Sequence, residues 1–247
     1  MKIYKNLIIG SSFSSIGFAH ASEQTLIVEK TEMLDTSFYL PQRGFGKHPY
    51  TPLTESGKEL DAIFRERGIL SDKGQNVSAF EIGLSRFAQL HGINVYLKCR
   101  ILDCREENGG FTVTLLHNGG VEDIFVKTIT DTRVKNPSGK HLALIFDCPE
   151  ADLRHDLIEE AFPGAIVENS FYDGRYVLYA PIGEEDINCA KVEIYQRWQK
   201  LEGYRILYIA SAFLYTGGEY PSLCDERYEN PIEAFEAGIK AAEEVLI

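Results

Sequence analysis

The first thirty residues are built from short, unbroken apolar runs set between polar stretches. Leu7-Ile8-Ile9 is stopped by Gly10, and Thr25-Leu26-Ile27-Val28 is a second such run. Continuous runs, rather than apolar–polar alternation, predict strands covered on both faces, as in a parallel sheet. Residues 13–21 between them predict a small helix. Further along, Leu60, Ile63 and Phe64 share one face of a predicted helix over 55–68. Phe80, Leu84, Phe87 and Leu90 recur at helical spacing over 78–91, ended by His91-Gly92. Residues 37–56 contain Pro41, Gly44, Gly46, Pro49 and Pro52 and predict an irregular loop, of a length that often carries function.

The pattern then changes to strands, predicted at 93–97, 99–104, 110–116, 121–126 and 128–130. Asn108-Gly109-Gly110 and Asn118-Gly119-Gly120 supply the hairpin turns. Residues 132–140 are polar, hold Pro137 and Gly139, and predict a boundary. Beyond them the pattern predicts a strand at 141–147, a helix near 150–162, strands at 165–171 and 175–181, and a helix at 187–201. The run Ile206-Leu207-Tyr208-Ile209-Ala210 predicts another buried strand, next to the N-terminal sheet. A closing helix is predicted over 231–246, with Asn230 as N-cap, Pro231 in its first turn and Glu233 completing a capping box. The expected architecture is α/β. Residues 1–133 and 205–247 form one discontinuous nucleotide-binding domain with a parallel sheet and a β-meander, and 134–204 form a small α+β cap or substrate domain.

Composition narrows the partners. The 247 residues carry a formal net charge of −12 and no Lys/Arg block, which argues against a nucleic-acid backbone or an anionic membrane surface as partner. No apolar stretch approaches the ~18 residues of a membrane span, and the N-terminal run is too short for a signal peptide. Five cysteines without a C-x-x-C pair, and six histidines without ligand spacing, predict reduced thiols in the cytoplasm and no metal site.

One stretch carries chemistry. In "IIGSSFSS", Gly10, Ser12 and Ser15 stand where a G-x-G-x-x-G turn places its three glycines, between a strand and a helix. The turn glycine is kept, and serine is the smallest polar replacement at the other two positions. A helix N-terminus there offers free N–H groups to a phosphate. Glu29, 19 residues after Gly10, ends the second strand, where an acid accepts from ribose hydroxyls. The plainer reading is a tight βα turn with Glu29 at a solvated strand end.

Three segments together resemble the FAD-dependent oxidoreductases of the two-dinucleotide-binding, glutathione-reductase-like superfamily. They are residues 5–30, residues 80–133 with a "Gly-Val-x-Val"-like strand and meander, and residues 205–246 with the last strand and helix. The resemblance implies FAD as cofactor, with Gly10, Ser12 and Ser15 on its pyrophosphate, Glu29 on the ribose and Ile101 at the adenine. Gly44 and Gly46, with Arg43 beside them, would lie along the cofactor, and Ile232 would aim the positive end of the last helix at the flavin. Ser14, Lys30 and Ser211 complete the implied set. Thr132-Arg133-Val134 stands where the family has Ala-Thr-Gly, and Ala210-Ser211 where it has Gly-Asp.

The function this implies is flavin redox chemistry on a small-molecule substrate, in which the protein supplies position and electrostatics. No catalytic residue is assigned. His48, Arg43 and Tyr215 are candidates to face a flavin, and Tyr172, Tyr176 and Tyr179 to line a substrate wall, although strand aromatics more often pack a core. The rival is a cofactor-free relative acting as a binding or scaffold protein. A short-chain dehydrogenase is disfavoured because no Tyr-x-x-x-Lys occurs. The pattern leaves the oligomeric state open.

Overall fold

The two N-terminal apolar runs become neighbouring parallel strands, β1 (Lys2–Ile9) and β2 (Thr25–Val28), joined by helix α1 (Phe13–Ala21). A computed structural model gives this arrangement and describes residues 1–46, 48–149 and 153–245. Helix α2 (Glu55–Glu66), a small hairpin of β3 (Leu70–Ser71) and β4 (Gly74–Gln75), and helix α3 (Phe80–Leu90) lead to β5 (Asn94–Tyr96). That strand lies parallel to β2 on its outer side. Strands β6 (Arg100–Glu107), β7 (Gly110–His117) and β8 (Gly120–Asp131) form the expected meander. β8 returns parallel to β1, so the sheet order is β5-β2-β1-β8-β7-β6. The separate strands expected at 121–126 and 128–130 are one strand, because β8 pairs with β7 along its first half and with β1 along its second.

Continuous apolar character in β1 has the physical cause inferred from it. Ile8 faces a core with Phe13, Phe64, Phe80 and Phe235, while its neighbour Leu7 faces a second cluster with Val113, Leu115, Ile124 and Val126 beneath the meander. Both residues are buried because helices cover one face of the sheet and the meander covers the other.

The second half of the chain contains β9 (Lys135–Asp147), α4 (His155–Ala161), β10 (Ile166–Asn169), β11 (Arg175–Pro181), α5 (Ile187–Trp198), β12 (Arg205–Ile209), β13 (Leu214–Glu219) and α6 (Pro231–Val245). The polar stretch 132–140 is not the boundary expected, since β9 begins within it and runs for 13 residues. It can do so because both halves find partners: β13 beside the first and β12 beside the second, with β11 along the other edge. The 205–210 run was expected next to the N-terminal sheet and instead pairs antiparallel with β9. β1 and β2 already have neighbours on both sides, whereas the edge of β9 was free. Residues 150–152, where the helix near 150–162 was expected to begin, and residue 246, expected to end the last helix, lie outside the described residues. Among the described residues no helix is long and apolar enough to cross a membrane.

The last helix returns to the N-terminal half. Asn230 caps it, its Oδ1 accepting the Ile232 N–H at 2.9 Å. Glu236, one turn along, accepts from the Tyr50 hydroxyl at 2.6 Å and from the Thr54 N–H and hydroxyl at 2.6 and 2.7 Å, which ties down the end of the long loop. α6 lies directly on α1 through two glycines: a Cβ on Gly17 would overlap the carbonyl oxygen of Phe235, and one on Gly238 would overlap that of Ser14.

Gly238→Ala tests that contact. In an unpacked helix the change would add about 1 kcal/mol of stability. Here overpacking against a rigid backbone costs about 1–3 kcal/mol or more, so a net loss is expected. Urea unfolding reads it as a lowered midpoint with an unchanged slope.

Candidate functional site

β1 ends at Gly10, whose φ of +104° suits glycine and whose missing Cβ leaves room for the Thr132 hydroxyl. Ser12 is the N-cap of α1, its Oγ accepting the Ser15 N–H at 3.1 Å. The Ser15 hydroxyl donates to the Gly10 carbonyl at 2.9 Å and lies 2.7 Å from Ser12 Oγ. The serines at the second and third glycine positions therefore bond to the turn itself and brace it.

Two N–H groups of the first helical turn remain, and a carboxylate takes both. Phe13 N–H donates to Asp225 Oδ2 at 2.8 Å and Ser14 N–H to Asp225 Oδ1 at 3.0 Å. The Ser14 hydroxyl adds a bond of 2.6 Å and the Ser37 hydroxyl one of 2.9 Å. Asp225 is 1% exposed. Sequence reasoning missed it, and no local motif in "SLCDERYEN" marks it, because its helix partners Phe13 and Ser14 lie more than two hundred residues away.

Glu29 is at the end of β2 as expected but is buried rather than solvated. Its Oε2 accepts from the N–H and hydroxyl of Ser11 at 2.9 and 3.1 Å, and its Oε1 from the Thr31 N–H at 2.8 Å. A cleft of about 920 Å³ runs past this acid. Its lining includes Gly10, Ser12, Glu29, Lys30 and Ile101 from the expected set, with Thr132 and Asp225. Leu40, Pro41, Pro137, Phe213, Tyr215 and Leu223 add apolar and aromatic surface. The cleft thus opens at the carboxyl ends of β1 and β2, between the two sheets, where open α/β sheets place their ligands.

Other expected residues stand apart from it. Arg43 is buried behind Asp225: its guanidinium donates to the carbonyls of Asp225, at 2.8 Å, and Tyr228, and sits 3.9 Å from the Phe38 ring centre. Gly44 packs against Phe38 and the Glu229 carbonyl. Ser211 is exposed past the end of β12, its hydroxyl 2.9 Å from that of Tyr208. Ile232 is fully buried and its N–H is held by the Asn230 cap. Ser14 and Ser15 are buried behind Ser12. Of the catalytic candidates, only Tyr215 lines the cleft. His48 lies beside Gly46 and Glu168, Tyr172 accepts from Asn76 at 3.2 Å, Tyr176 stacks on Phe146, and the Tyr179 hydroxyl donates to the Gln42 carbonyl at 3.2 Å. Among the described residues no cluster of His, Cys, Asp or Glu is arranged to hold a metal ion.

The cleft wall sets Glu29, Asp225 and Glu226 against Lys30, Arg100 and Arg133. A fourth acid, Asp35, is fully buried behind it. Asp35 Oδ1 accepts from Phe38 N–H at 3.0 Å and lies 3.3 Å from the Ser37 hydroxyl that also serves Asp225, and its Oδ2 has no partner. Burial first, and then the neighbouring Asp225, push its carboxyl well above the usual range. Burial likewise raises Glu226, and pushes the Cys99 thiol up to about 11.

Asp35 gives a pH signature with a definite sign. The unfolded chain releases this proton near pH 4, while the folded protein holds it to higher pH. Its stabilising contribution is complete below pH 4 and is lost as pH rises through the folded-state value. The thermal midpoint of Asp35→Asn, taken relative to the parent, should therefore increase as pH rises from 4. A parent–variant difference independent of pH would contradict this.

No protein-family model and no curated protein matches the chain. Solved structures do match it. The p-nitrophenol 4-monooxygenase of Pseudomonas putida aligns over 99% of this chain and 79% of its own, with a TM-score of 0.55 at 10% identity. A geranylgeranyl bacteriochlorophyll reductase-like protein of Thermoplasma acidophilum aligns over 98% and 78%, with a TM-score of 0.56 at 14% identity. Aklavinone-11 hydroxylase, solved as a ternary complex with FAD and aklavinone, aligns over 98% and 63%, with a TM-score of 0.53 at 14% identity. At these identities the likeness is one of fold: a mixed α/β, Rossmann-like flavoprotein architecture.

Proposed function

We propose that the chain is an FAD-dependent oxidoreductase acting on a small molecule, related to the glutathione-reductase-like flavoproteins. One observation carries this reading: a turn glycine, a helix N-terminus and a buried acid at the end of β2 line a single cleft between two sheets. The donor set fits a phosphate, because the Phe13 and Ser14 N–H groups and the Ser14 hydroxyl, all on α1, already converge on an oxyanion, the Asp225 carboxylate. The shared fold of aklavinone-11 hydroxylase, which holds both FAD and aklavinone, supports it further.

In this reading bound FAD supplies the redox chemistry, and the chain supplies position. Glu29 Oε1 has one donor, so a lone pair remains for a ribose hydroxyl. Ile101 provides an apolar surface for the adenine, and the first turn of α1 receives the pyrophosphate. Phe213, Tyr215 and Leu223 form the apolar end, suited to an aromatic or aliphatic substrate and to excluding water. We assign 1–133 and α6 to the cofactor-binding part and 134–219 to the substrate-facing part, since β12 and β13 complete the second sheet. Cysteine usage favours a cytoplasmic setting. A second reading, a cofactor-free relative that uses the cleft for binding alone, draws on the possession of the helix N–H groups by Asp225.

Purification without added cofactor, followed by a visible spectrum and titration with FAD, separates the two. The oxidoreductase reading expects flavin absorbance or saturable FAD binding, and a colourless protein that ignores added FAD would leave the cofactor-free one. Glu29→Ala should weaken FAD binding about 10- to 100-fold, as a charged acceptor is worth about 1.5–3 kcal/mol. Equal flavin affinity in parent and variant would remove Glu29 from the site.

A further inference from the structure

We infer that Asp225 is an internal ligand holding the phosphate position of the cleft, and that a dinucleotide binds only when the segment around Asp225 releases helix α1. This rests on the dinucleotide reading given above and adds the step that governs entry.

The competition is direct. A pyrophosphate at this turn needs the N–H groups of Phe13 and Ser14, and each already donates to an Asp225 oxygen. Each N–H has one hydrogen to give, so the two anions cannot both be served. Placed side by side in a site this closed they would also repel with little screening. The dinucleotide therefore displaces the carboxylate.

The segment carrying Asp225 is held for such an exchange. Leu223 anchors it in the core, and beyond that its bonds are polar: Arg43 donates to the carbonyls of Asp225 and Tyr228, and Gln75 Nε2 donates to the Glu229 carbonyl at 2.9 Å. These bonds go to backbone oxygens, and among the described residues no Lys or Arg forms an ion pair with the Asp225 carboxylate. Asp35 lies behind it, sharing the Ser37 hydroxyl, and Glu226 follows it in the chain. The carboxylate is thus held by the helix N-terminus, and an incoming phosphate competes for those same donors.

The test compares adenosine, ADP and FAD by calorimetric titration on the parent, Asp225→Asn and Ser37→Ala, with a thermal melt to verify folding. Asparagine keeps the size of the side chain but leaves one oxygen for two N–H groups and no charge. Asp225→Asn should tighten ADP and FAD at least tenfold while adenosine, which lacks phosphate, changes less than twofold. Ser37→Ala removes one donor to Asp225 and should shift ADP and FAD in the same direction by a smaller factor, which keeps the test open if Asp225→Asn fails to fold. FAD binding to the parent with no gain in either variant would overturn the inference and leave the cofactor reading standing. Absence of binding by all three ligands to all three proteins would overturn both.

Discussion

A helix that starts inside a protein leaves its first N–H groups without partners, and each one buried unpaired costs roughly 1–3 kcal/mol. In this chain α1 starts in such a place, with Phe13, Ser14 and Ser15 all buried. Ser12 serves the third N–H, and Asp225 serves the other two from a segment contributed by the far end of the chain. Much of the remaining architecture follows from that bond. It anchors the segment just before α6, Arg43 holds the same segment by its carbonyls, and Phe38, under Arg43, packs edge-on against Phe13 at 5.5 Å.

The two-glycine contact between α1 and α6 continues the same constraint along the helix. With Gly17 under the Phe235 carbonyl and Gly238 under that of Ser14, the two backbones approach as closely as side-chain-free positions allow. The third glycine of a dinucleotide turn ordinarily serves close packing of helix on strand. Here Ser15 holds that position by bonding to the Gly10 carbonyl, and close packing is moved two residues on, to Gly17, and turned toward a different partner. The substitution of serine thus reads as a reassignment of contacts within a kept turn.

The cleft owes its shape to both sheets. The ends of β1 and β2 supply Gly10 and Glu29, while β9 and β13, with the residue that enters it, supply Pro137, Tyr215 and Phe213. Polar and apolar groups both line it, as expected of a site that orients a ligand by a few hydrogen bonds and buries the rest of it.

Local physics made much of this legible in the residues. The buried runs of β1 and β2, the helix at 13–21, the Asn-Gly hairpins and the Asn230 cap follow from patterns spanning a few residues, which the tertiary structure had no reason to override. Gly10 and Glu29 were marked by their strand–turn–helix–strand order and Ile101 by the family resemblance, and all three line the cleft. What only the folded chain decided were the long-range pairings. An apolar strand such as β12 pairs equally well with any free edge, and it took that of β9 because β1 and β2 were already flanked. The 132–140 stretch has the composition of a linker and became strand because β13 arrived beside it. Arg43, Ser211 and Ile232 match sequence positions in a motif, yet their side chains and N–H groups went to nearer partners. Asp225 is the sharpest case: an acid in an unremarked loop, whose place on the helix N-terminus depends on where two distant segments of chain come to lie.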